Sequence, residues 1–77
     1  MDLIKELETC FNTELVYLQV GLDRETDPIK RNDMAWYCVQ RLLGATQFAN
    51  QLGADYGTVE AMFEGYKEKI YKMEKGA

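Results

Sequence analysis

The sequence predicts an all-α domain, a small three- to four-helix bundle. Three observations carry this. Apolar residues recur at three- and four-residue steps over most of the chain, the spacing of a helix face. No strand-like alternation of useful length appears. Each periodic stretch is bounded by residues that start or stop helices. At 77 residues the chain fits one domain, residues 1–77, with a core that is marginal for its size.

The first helix is expected from Leu3 to Val20. Asp2 can cap it by accepting from free N–H groups of the first turn. Ile4, Leu7, Phe11, Leu15 and Leu18 form its apolar stripe. Gly21 is placed to end it, because glycine tolerates the left-handed conformation found there. After a polar connection, Asp27-Pro28 reads as a second start. Aspartate caps, and proline occupies a position whose N–H has no partner in any case. The second helix carries Ile29, Ala35, Trp36, Val39, Leu42 and Leu43 on one face. Gly44 and Thr46 together read as a stop and a start, so a break is expected there, with a short helix from Gln47 to Leu52. A continuous helix through Gly44 is the alternative. Gly53 ends that segment, and Asp55 caps a last helix from Tyr56 to Lys75. Its stripe is Val59, Met62, Phe63, Tyr66, Ile70 and Met73. The expected core joins Phe11, Leu15, Trp36, Val39, Leu43, Phe63, Tyr66 and Ile70, with Phe48 also assigned to it.

Composition narrows the function. The chain has two cysteines and no histidine. Cys10 and Cys38 each fall within a helical apolar pattern and read as reduced, packed thiols. There is no ordinary zinc set, no histidine base beside a nucleophile, and no phosphate-cradling glycine loop. No catalytic, metal or cofactor residue is therefore assigned. Asp23, Glu25 and Asp27 alternate as in a calcium loop, but Pro28 stands where that loop needs glycine and Met34 where it needs glutamate. Glu60, Glu64 and Glu68 lie at helical spacing without the histidines of a di-metal bundle. Both groups read as solvated acidic surface. The N-terminal stretch is acidic and has no long apolar run, so neither a signal peptide nor a membrane span is read there, and the cytoplasm is expected.

Net charge is −4, spread unevenly. Residues 1–27 hold two cations against seven acids, 28–53 three against one, and 54–77 four against five. Such a chain suits a basic protein surface better than a phosphate backbone.

One stretch, residues 46–65, TQFANQLGADYGTVEAMFEG, resembles the helix-turn-helix of Cro- and repressor-type transcription regulators. Ala49 matches the small residue at the helix contact. Leu52-Gly53 matches the apolar residue and turn glycine, Asp55 the cap of the recognition helix, and Val59 and Met62 its buried positions. The resemblance implies a DNA-binding regulator contacting its site through Tyr56 and Thr58. The outward positions, however, include Asp55, Glu60 and Glu64, and base reading relies on Arg, Lys, Asn or Gln. The leading expectation is therefore a non-enzymatic, acidic interaction module, a regulator or inhibitor acting on a protein partner or by self-association. On helical wheels Met34, Tyr37, Cys38 and Arg41 lie opposite the Trp36–Val39–Leu43 stripe, and Val16 and Val20 point away from Phe11 and Leu15. The expected partner interface is Val16, Val20, Met34, Tyr37 and Arg41.

Overall fold

The computed structural model of the chain describes residues 2–76. Its elements are α1 (Leu3–Arg24), α2 (Pro28–Gln51) and α3 (Tyr56–Glu74), an all-α bundle as predicted. All three helices begin on an aspartate. The Asp2 carboxylate accepts from the Lys5 N–H, Asp27 from Ile29 and Asp55 from Thr58. Each takes up one of the four N–H groups that a helix start leaves free. The turn after α2 is a Schellman close. Gly53 sits at φ 99°, its N–H donates to the Asn50 carbonyl, and the Ala54 N–H donates to the Ala49 carbonyl.

Two expected stops are not stops. α1 runs through Gly21 to Arg24. The glycine is helical and serves packing: a Cβ there would fall on the Met34 methyl, so its absence lets α2 lie close against α1. α2 is one helix of 24 residues, unbroken at Gly44. Thr46 caps nothing; it is buried in mid-helix, where its hydroxyl donates to the Leu42 carbonyl. Gly44 is exposed, with nothing within 4 Å of where a Cβ would lie. Gly44→Ala is therefore expected to gain most of the propensity difference, about 1 kcal/mol, and to raise the thermal midpoint by about 4–8 °C. A melt followed by circular dichroism checks this; a lowered midpoint would contradict the open surface seen at that position.

The bundle measures 40 × 18 × 18 Å. A 19-residue helix is about 28 Å long at 1.5 Å per residue, so α3 lies along the long axis. Contacts fix the directions. Glu14 meets Arg41, Gly21 faces Met34, and Asn32 meets Glu74, so α2 runs antiparallel to both of its neighbours.

The core runs between the three helices. Leu7, Phe11, Leu18 and Leu22 enter from α1, and Val59, Phe63 and Ile70 from α3. From the central helix come Ala35, Cys38, Val39, Leu42, Thr46 and Ala49. Most of these are small, because α2 is flanked on two sides and small side chains let two backbones approach at once. That shifts the buried face of α2 from the expected Trp36–Leu43 stripe. Trp36, Ile29 and Phe48 are exposed, and Leu15, Leu43 and Tyr66 are only partly covered. Cys38 is fully buried, so it does not belong to the outward strip; Cys10, expected to be packed, is exposed.

Arg31 closes one end of the bundle. Its guanidinium donates to the Leu22 and Glu25 carbonyls at the end of α1 and to the Met73 and Glu74 carbonyls at the end of α3. Helix C-termini carry unpaired carbonyls and partial negative charge, and a single cation here serves two of them.

Candidate functional site

The feature the fold leaves unused is the face of the α1–α2 pair turned away from α3. Leu3, Cys10 and Tyr17 stand seven residues apart on α1, and Met34, Arg41 and Phe48 seven apart on α2. Seven residues are close to two helical turns, so each set forms one seam. At one end, Tyr17, Met34, Tyr37 and Arg41 surround a shallow cavity of about 250 Å³. At the other, Leu3, Cys10, Ala45, Phe48 and Leu52 line an open apolar groove of about 240 Å³ with Glu6 at its edge. Tyr17 is 67% exposed, Tyr37 58%, Phe48 61% and Leu52 54%. Scattered surface apolars are ordinary, but contiguous ones mark interaction surfaces.

Between the two ends the Arg41 Nε donates to the Glu14 carboxylate at 2.7 Å. The Tyr37 ring is held edge-on by Trp36, centroids 5.1 Å apart. Of the residues expected at an interface, Met34, Tyr37 and Arg41 come together at this cavity. Met34 is partly buried, because it also packs on Gly21. Val16 and Val20 are exposed, with Val16 on the flank of α1 beyond the seam. Tyr17, Phe48, Leu52 and Cys10 complete the face and were not assigned to it from sequence. The seven-residue spacing from Leu3 through Cys10 to Tyr17 was the available signal.

The two thiols have opposite surroundings. Burial raises the Cys38 pKa; nearby Arg41 lowers it and Glu14 raises it, both to a lesser extent. Since the thiolate is the reactive form, Cys38 is expected to resist a disulfide reagent until the protein unfolds, while Cys10, exposed in the single chain, reacts at once in dilute solution. Titration with and without denaturant reads this directly; two fast thiols in the native protein would contradict it.

The residues proposed for DNA contact are placed differently. Tyr56 is exposed at the start of α3. The Thr58 hydroxyl and N–H both donate to the Asp55 carboxylate, which holds that carboxyl below its usual pKa. Thr58 is thus engaged in the cap, and Asp55, Glu60 and Glu64 are exposed beside it. α2 and α3 pack lengthwise, whereas the helices of a DNA-reading helix-turn-helix cross at about 90–120°.

Elsewhere most of the acidic groups weighed above have local partners, while the Asn50 Oδ1 is buried without one. Asp23 accepts from Gln19, Glu25 from the Thr26 and Asp27 N–H groups, and Asp27 caps α2. Glu64 and Glu68 pair with Lys67 and Lys72. A cavity of about 460 Å³ lies beside Arg31, Lys69 and Lys72, but Arg31 spends its donors on carbonyls. Among the described residues no cluster of His, Cys, Asp or Glu is placed to hold a metal ion. No helix of the described residues is long and apolar enough to cross a membrane. No protein-family model matches the chain, and no curated protein or solved structure matches it.

Proposed function

We propose that the chain is a non-enzymatic interaction module, a small acidic helical regulator or inhibitor that acts by docking another protein surface on its α1–α2 face. The observation that carries this reading is the pair of exposed apolar patches on that face, one at Leu3 and Leu52 and one at Tyr17 and Tyr37, with the Glu14–Arg41 pair between them, none of it covered by any other part of the described residues. Tyr, Met and Arg are residue types enriched at protein interfaces, and here they share one cavity. Cys10 and Cys38 are unpaired thiols, which suits a reducing compartment such as the cytoplasm.

Capture of partners from the host with wild type, Tyr37→Glu and Ile29→Glu tests the reading. Tyr37→Glu should lose what wild type holds. Ile29→Glu, on an exposed position away from the seam, should keep it. Identical recovery by all three would defeat the proposal. The helix-turn-helix reading keeps the Gly53 turn and the Asp55 cap in its favour. It requires duplex-DNA affinity that falls steeply with salt and is lost in Tyr56→Ala; the acidic surface of α3 leads us to expect neither.

A further inference from the structure

We infer that the occupant of the α1–α2 face is a second copy of this chain, joined about a twofold axis that runs along the bundle. This rests on the reading above that the face is an interaction surface, and it names the partner.

The first argument is charge. Glu14 and Arg41 stand level with each other near the middle of the seam and are already paired. An axis along the bundle lays α1 of one copy over α2 of the other, level for level. Arg41 then meets the partner's Glu14, and Glu14 the partner's Arg41, closing a ring of alternating charges. An axis across the bundle would set Arg41 over the partner's α2 and lose that exchange. By helical position, the charged residues on the seam and its flanks are Glu6, Glu14, Arg24, Lys30 and Arg41, two acids against three cations. The chain's excess of acids, net −4, therefore lies on the other faces, and two copies can approach here with the least repulsion.

The second argument is area. An aromatic side chain presents roughly 150–250 Å². At the exposures of Tyr17, Tyr37 and Phe48, these three leave on the order of 300–450 Å² uncovered. Divided between the two ends of the seam by the Glu14–Arg41 pair, this area in total is comparable to the largest apolar patch on a typical monomer, about 300–600 Å². Leu52, Val20, Cys10 and the Arg41 stem extend it toward the ~800 Å² per partner of a stable dimer. The pairing is isologous, as closed dimers require: Tyr17 lies against the partner's Tyr37, and Phe48 against the partner's α1 groove. A chain this short also leaves much of its surface uncovered when alone, and a second copy relieves that.

Charge exchange gives a sharp test by sedimentation. Wild type should be dimeric. Glu14→Arg and Arg41→Glu should each raise the dimer dissociation constant at least about tenfold, since each sets like charges opposite one another. An equimolar mixture of the two variants should dimerise again, because opposite charges then meet across the axis. Loss of an intrachain pair could not be rescued by mixing. Alkylation of Cys10, exposed in the single chain, should slow as wild-type concentration rises, and melts of each variant should show a folded protein. Dimerisation of the single variants, or failure of the mixture to associate, would overturn the proposed arrangement. A wild type that stays monomeric overturns the dimer altogether. If Tyr37→Glu then still abolishes capture of a host protein, the interaction reading stands with another occupant; if it does not, both fall.

Discussion

Phe11→Ala is expected to cost about 3–5 kcal/mol, the range for removing a large aromatic from a well-packed core. Phe11 is fully buried and meets the Tyr66 ring edge-on, centroids 5.1 Å apart. Tyr66 in turn donates its hydroxyl to Asn12 at 2.7 Å. Truncation thus opens a cavity at the junction of α1 and α3 and removes the edge-to-face contact that orients Tyr66. In a domain with about 5–15 kcal/mol in total, that loss lowers the thermal midpoint by at least about 12 °C and brings the chain near unfolding at ambient temperature. Phe63→Ala belongs to the same class, its ring being almost as deeply covered. Urea unfolding of each variant measures the effect. A loss under about 1 kcal/mol for Phe11→Ala would mean that the site collapses around the void, against the tight packing described above.

Arg31→Met is expected to cost about 2–3 kcal/mol, the scale of hydrogen bonds made by a charged group. Methionine keeps an apolar stem and removes the guanidinium, so the carbonyls of Leu22, Glu25, Met73 and Glu74 lose their shared donor. Water reaches this partly buried corner and takes over some of them, which holds the cost below that of a sealed site. Arg31→Lys should recover only part of the loss. A compact ammonium lacks the planar fork that here spans two helix ends. Equal stability of wild type and Arg31→Met in urea would show that these contacts contribute nothing net.

These two residues also mark where sequence reasoning stopped. Phe11 was legible because its stripe is local, repeating from Ile4 to Leu18. The caps at Asp2, Asp27 and Asp55 were legible for the same reason, each being a bond within three residues. Arg31 was counted only as a charge, since its partners lie up to 43 residues away. Gly21 and Gly44 were misread because a glycine that ends a helix and one inside it look alike in one dimension; Gly21 makes room for a neighbour, whereas Gly44 faces open space. On α2, the large Trp36 and Phe48 were assigned to the core and Thr46 was read as a cap, although Ala35 was placed on the buried face and Cys38 read as a packed thiol. Apolar size ranks residues by transfer energy, but a helix flanked on two sides selects for slimness. Met34, Tyr37 and Arg41 were found because a wheel shows which way they point. Tyr17 was missed because its place beside them depends on how α1 and α2 are registered, which tertiary packing sets.

The unequal closure of the two ends has a kinetic consequence. Helix ends ordinarily fray, and their amides exchange with solvent through small local openings. Where Arg31 ties the last turns of α1 and α3 to the first turn of α2, separating one helix end breaks bonds to the others. Amides there should exchange only in larger cooperative openings. At the opposite end the α2–α3 connection is held by its own backbone turn at Gly53, and α1 begins on a single exposed cap at Asp2. Opening should therefore start at that end and travel toward Arg31, uncovering Ala49 and Val59 early while Tyr17, Met34 and Tyr37 are still held in place.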